Sequence, residues 1–198
     1  MNALVTPWPD RVLVLRLDEP ANIGESPFTE AELRTVAKFT LHKRRQEWLL
    51  SRLAAKQLAV RLGIAPDPRA ITVDRPDIRV DGAPSGWQIS LSHSAPYAAA
   101  AIARDRIGID VQVLRDLDER AAHVFLTDAE TTTLHASTIP HRILHFWCAK
   151  EAAFKQRSSE VTTLKQIPMR LLETRDEGLV FDCAETALVG DVIVAVTR

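Results

Sequence analysis

Short β-prone runs alternate with longer stretches of helical period along this chain. Val12 to Leu15 is an apolar run that predicts a first strand, closed off by Pro20. Thr29, with Glu32 three residues on, has the form of a helix start in which hydroxyl and carboxylate satisfy each other's backbone amides. The clearest helix is read over 41–62, where Leu50, Ala54, Leu58 and Leu62 recur every four residues and Gly63 supplies the stop. Opposite that stripe Arg45, Arg52 and Lys56 fall at i, i+7 and i+11, which at about 100° per residue gathers them on one narrow face. The face is either a solvated side or an anion-binding ridge.

Beyond Gly63, Ile71 to Val73 reads as a strand, Arg75 to Gly86 as a loop rich in Pro, Gly, Asp and Arg, and Trp87 to Leu91 as a second strand. Ala98 to Ala103 and Ile107 to Val113 are apolar runs separated by Arg104-Asp105-Arg106, the form of a hairpin. Thr127 with Glu130 repeats the capping box, and a further helix is expected over 143–156. Strands are expected again near Met169–Thr174, Leu179–Asp182 and Val192–Thr197, with Asp176-Glu177-Gly178 as a turn. Each half thus runs strand, helices, strands, with a boundary near Arg104, a hint of structural duplication without an obvious sequence repeat.

Composition narrows the class. At 198 residues the chain can bury a full core as one domain or two small ones, and 46% hydrophobic with 26% charged residues is a globular balance. A net charge of −1 excludes bulk attraction to nucleic acid or anionic lipid, so anion binding must be local. Cys148 and Cys183 show neither zinc spacing nor a disulfide framework, the first residues lack a secretory pattern, and no apolar run reaches membrane-spanning length. A cytoplasmic protein off the membrane is expected.

Three segments carry candidate chemistry: Ser92-His93-Ser94, Gly108-Ile109-Asp110-Val111-Gln112, and Trp147-Cys148-Ala149-Lys150-Glu151-Ala152-Ala153-Phe154-Lys155. Alternation in the second puts Asp110 and Gln112 on one strand face, where oxygen ligands suit a hard cation; otherwise Asp110 ends a strand or pairs with an arginine. In the third, Trp147, Glu151 and Lys155 share one helix face, either lining a groove or forming an ordinary i,i+4 surface pair. His93, near Pro96, offers an imidazole beside backbone amides at the lip of a sheet, or is simply structural.

In this order the three segments resemble the Sfp-type 4'-phosphopantetheinyl transferase family, with its S-H-S strand end, G-I-D strand and W-x-x-K-E-x-x-x-K helix. Phe125-Leu126 with Glu130 and the basic first-half helix extend the likeness over most of the chain. The resemblance implies an α/β (α+β) fold of two similar subdomains related by a pseudo-two-fold axis, here residues 1–103 and 104–198, with coenzyme A in the cleft between them.

Position by position, the resemblance implies that Asp110 and Glu151 hold Mg²⁺ against the coenzyme A pyrophosphate, with Gln112, where the family commonly has Glu, as a neutral third ligand. Lys155, His93 and Ser92 would contact phosphate, and Arg34, Arg45, Arg52, Arg75 and Arg79 are candidates for the 3'-phosphate end. The implied reaction moves the phosphopantetheine arm of coenzyme A to a serine of an apo acyl or peptidyl carrier protein, with Glu151 as general base, by a monomeric enzyme.

Two rival readings remain. Gln112 would suit a weak or inactive relative that only binds coenzyme A. His42-Lys43-Arg44-Arg45 with Trp48 would suit a nucleic-acid-binding module, against which the near-neutral charge and single Tyr count.

Overall fold

In the computed structural model, which describes residues 1–18 and 23–198, the chain divides into two units, Met1–Arg106 and Ile107–Arg198. The strand end read at Pro20 lies outside the described residues. The first unit opens with β1 (Asn2–Leu4) and β2 (Val12–Arg16) and continues through α1 (Glu30–Val36) and α2 (His42–Arg61). It ends in β3 (Ile71–Asp74), β4 (Asp77–Val80), β5 (Ala83–Ser94) and β6 (Tyr97–Ala103). These strands form one antiparallel sheet in the order β1-β2-β6-β5-β4-β3. Leu50, Ala54 and Leu58 of α2 join Leu13, Leu15, Leu91 and Ile102 in its core, and the small side chains of Ala98 and Ala100 on the same face of β6 let the helix lie close over the sheet.

The second unit runs β7 (Ile109–Val113), α3 (Glu119–Phe125), α4 (Asp128–Ala136), α5 (Arg142–Arg157), β8 (Leu171–Arg175), β9 (Gly178–Phe181), β10 (Ala184–Val189) and β11 (Val192–Thr197). Its sheet is also antiparallel, in the order β7-β11-β10-β9-β8. Apart from β1 and α3, this is the element order and strand order of the first unit. Each unit is therefore a mixed α/β body of the same topology.

The likeness reaches individual side chains. Both capping boxes form: Thr29 N donates to Glu32 Oε2 at 2.9 Å, and Thr127 N donates to Glu130 Oε2 at 2.8 Å. Each glutamate then meets a fully buried lysine of the following long helix, Lys56 to Glu32 at 2.9 Å and Lys150 to Glu130 at 2.7 Å. Both ammoniums also donate to carbonyls beyond that helix, Lys56 to Pro68 and Ile71, Lys150 to Ile167. An unpaired charge in these cores would be costly, so each lysine ties helix start, long helix and returning chain into one network. Lys56 is therefore not part of an exposed basic ridge: it lies on the face of Arg45 and Arg52, but that face turns inward as α2 passes under the chain around Pro68.

Two further expectations are corrected. Residues 98–103 and 107–113 do not form a hairpin, because β6 pairs with β2 and β5 in one sheet while β7 pairs with β11 in the other. The stretch read as a loop over 75–86 contains β4 and the start of β5, with Asp81 and Gly82 at positive φ making the turn between them. Among the described residues no helix is long and apolar enough to cross a membrane.

His145 of α5 is buried, with Nδ1 2.8 Å from Thr186 Oγ1, and that hydroxyl oxygen accepts from Leu179 N at 2.9 Å. Burial, with a smaller contribution from His141, pushes its pKa down to about 4. A group depressed on folding stabilises the native state above its ordinary value, near 6.5, and withdraws that stability as pH falls toward 4. About 3 kcal/mol is expected to be lost over this window, and urea titrations at pH 7 and pH 4 on wild type and His145→Gln measure it as a reduced acid sensitivity in the variant.

Candidate active site

The second unit gathers an acidic and a basic group where β7 meets α5. Gly108 precedes the strand, and a Cβ there would fall 1.8 Å from the carbonyl oxygen of Ala152, so only glycine lets the helix backbone come this close. The approach brings Lys155 onto the strand: its Nζ lies 2.7 Å from Asp110 Oδ1 and donates to Ile109 O at 2.9 Å. Gln112 Nε2 donates to the other oxygen, Oδ2, at 3.1 Å, as expected for neighbours on one strand face. Asp110 itself is buried, 2% exposed, and the buried Cys148 thiol donates to Ile193 O at 3.9 Å; burial first and the charge of Asp110 second push the thiol's pKa up.

Glu151 lies half-buried at the same place, one turn before Lys155. Burial first and the charge of Asp110 second raise its pKa, with Lys155 acting the other way. The ordinary helix-surface pair between Glu151 and Lys155 is thus not the arrangement adopted, since Lys155 turns to Asp110. Trp147, on the same helix face, packs edge-on against Phe125 at 5.1 Å, and its buried indole Nε1 has no partner among the described residues.

Two carboxylates served by a single ammonium leave a net negative charge, and that donor set suits a hard divalent cation shared with a phosphate ligand. Among the described residues no cluster of three or more His, Cys, Asp or Glu side chains could enclose a metal. Gln112 presents its amide nitrogen to Asp110, so it tethers that carboxylate; a turn of the amide would offer oxygen instead.

The duplicated topology explains why only the second unit carries this chemistry. Arg11 O accepts from Ile102 N as Gly108 O accepts from Thr197 N, so β2 and β7 align, and Lys56 aligns with Lys150. Leu13 then stands where the second unit has Asp110, Gln57 where it has Glu151, and Arg61 where it has Lys155.

The first unit instead offers a pocket of about 670 Å³ along α2 and the end of β5. Lys43, Arg44, Arg52, Arg75 and His93 line it, with Phe39, Leu41, Trp48, Ser51, Leu91 and Glu47. The Arg52 guanidinium stacks 3.9 Å from the centroid of the Trp48 ring, and desolvation, followed by the charge of Arg75, lowers its pKa to about 10. Two guanidiniums held near each other and partly dried are unfavourable until an anion joins them.

Of the residues singled out in the first half, Arg52, Arg75 and His93 come together in this pocket. Arg34, Arg45 and Arg79 do not line it and meet local acids, Glu30 at 3.2 Å, Glu25 at 3.7 Å and Asp74 at 3.3 Å. Ser92 is buried within β5, pointing to the face opposite His93. Lys43 and Arg44 were visible as a basic run beside an aromatic, whereas nothing in the sequence marked Glu47 as a pocket residue.

Family models agree with both units. One described as the 4'-phosphopantetheinyl transferase N-terminal domain matches residues 31–103, and one for the 4'-phosphopantetheinyl transferase superfamily matches residues 106–188. The chain belongs to the 4'-phosphopantetheinyl transferase superfamily, a family of transferases of the phosphopantetheine group. No individually curated protein matches it.

Proposed function

We propose that the protein transfers the 4'-phosphopantetheine group of coenzyme A to a serine of an apo acyl or peptidyl carrier protein and releases 3',5'-ADP. The observation that carries this reading is the buried Asp110 bridged to Lys155 beside a Glu151 of raised pKa, on the strand and helix that bear the family motifs. In this reading the subdomains, residues 1–103 and 104–198, divide the substrate: the first takes the nucleotide end in its cationic pocket, the second the pyrophosphate.

Asp110 and Glu151 would hold Mg²⁺, with Gln112 as a neutral neighbour, and the cation would offset charge on the pyrophosphate. Lys155 adds a positive charge at the transferring phosphate while holding the buried Asp110 carboxylate in place at 2.7 Å. Glu151 accepts the proton of the attacking serine hydroxyl, whose oxygen bonds to the β-phosphorus as the bond to the bridging oxygen breaks and 3',5'-ADP leaves. Burial and Asp110 raise its pKa, which favours it as a base, and a bound cation would act the other way.

Incubation with a panel of apo carriers, coenzyme A and Mg²⁺ tests the reading by the mass of the arm appearing on a carrier serine. Coenzyme A binding without transfer to any carrier would favour the inactive relative. At the nucleotide end, Arg52→Ala is expected to raise KM for coenzyme A about tenfold or more, the scale of a lost charge-assisted hydrogen bond. It should leave KM for 3'-dephospho-coenzyme A unchanged, and equal losses on both would remove the 3'-phosphate from this pocket.

A further inference from the structure

The cationic pocket of the first unit contains one carboxylate, and a site for phosphate alone has no use for it. Glu47 sits on α2 between Lys43 and Trp48, with Oε1 3.9 Å from Lys43 Nζ and Oε2 3.6 Å from His93 Nε2. Its side chain is 22% exposed, so it faces the pocket rather than open solvent. Both separations exceed a direct hydrogen bond, leaving acceptor capacity on the carboxylate. Placed against a phosphate it would repel; placed against a donor it would attract strongly, because a carboxylate accepts only.

Trp48 supplies an aromatic wall beside Glu47, and Arg52 and Arg75 concentrate positive charge in the same pocket. A ligand satisfying all of these carries a phosphate, a flat ring and a hydrogen-bond donor on that ring. We infer that Glu47 is a specificity-determining residue which accepts a hydrogen bond from the exocyclic amine of the nucleotide base, so that the pocket selects adenine over a base with a carbonyl in that place. This rests on the proposed binding of coenzyme A by its nucleotide end. It adds a polarity to that pocket: the acid repels a phosphate entering in the wrong register and receives the base in the right one.

The test compares two ligands that differ only at the base, 3',5'-ADP and its hypoxanthine counterpart, titrated calorimetrically into wild type, Glu47→Ala and Glu47→Gln. Wild type is expected to prefer the adenine nucleotide by about tenfold or more, since a partly buried charged acceptor left without its donor penalises the analogue. In Glu47→Ala the two affinities should converge to within about twofold. In Glu47→Gln, whose amide can also donate to the carbonyl, they should converge or reverse.

Loss of the negative charge, or a shift of His93 and Lys43, alters both affinities together and cancels in the ratio. A structural role alone therefore leaves the ratio unmoved. An unchanged preference in Glu47→Ala, or no preference in wild type, overturns the inference. Failure of wild type to bind either nucleotide would instead overturn the placement of coenzyme A on which it rests.

Discussion

Asp110→Asn is expected to lower transfer to carrier protein on the order of 10³-fold while leaving far-ultraviolet circular dichroism unchanged. The buried carboxylate is the anchor for Lys155 Nζ at 2.7 Å and for the Gln112 amide at 3.1 Å, so its replacement removes a metal ligand and releases the ammonium together. Glu151→Gln should cost a similar factor by a different route, since it keeps the shape and abolishes the base. The pH dependence separates them. Burial and then Asp110 raise the pKa of Glu151, and a bound cation would work against that rise, so wild-type kcat should rise with pH through a limb set by Glu151 and displaced downward as Mg²⁺ is added. That limb should move down when Asp110 loses its charge and vanish when Glu151 is replaced. Wild-type rates in either variant would dissociate these carboxylates from the reaction.

Much of this site was legible in the sequence, because its parts obey local rules. Alternation along 107–113 placed Asp110 and Gln112 on one face, and helical spacing placed Trp147, Glu151 and Lys155 on one stripe; the hydrogen bond from Gln112 to Asp110 follows the first rule. What local rules could not supply was the pairing between elements. Lys155 reads as the i+4 partner of Glu151, yet the close approach at Gly108 hands it to Asp110 instead. Lys56 reads as a surface cation by its spacing, but it is buried by a chain segment twelve residues on. The hairpin expected across Arg104 failed because two apolar runs adjacent in sequence closed two different sheets. The strand β4 was hidden by Pro76, Gly82 and Pro84, residues that signal loops until the turns they form are seen inside a meander.

The duplication has an energetic counterpart, and Lys150→Met is expected to be among the most destabilising single changes in the second unit. Lys150 lies next to Glu151 in sequence but points into the core, where it meets Glu130 at 2.7 Å and the carbonyl of Ile167. Glu130 also accepts from the backbone amides of Thr127 and Met169, so one carboxylate closes the start of α4 and fixes the chain returning to the sheet. Removing only the lysine leaves that carboxylate buried without its cation, a change that costs about 3–5 kcal/mol. The pair Lys150→Met with Glu130→Gln should recover only part of the loss: it leaves no buried charge, but Thr127 N and Met169 N bond to different oxygens of Glu130, and a single amide oxygen can accept from one of them while its NH2 faces the other. Urea denaturation of the four proteins of this cycle measures the coupling. Added salt should change it little, since neither ion is exposed to screening. Lys56→Met should behave alike through Glu32, with the loss registered in the unit that carries the cationic pocket rather than the acidic pair. A Lys150→Met variant within about 1 kcal/mol of wild type would show that the ion pair is offset by its own desolvation and that packing alone holds α5 over its sheet.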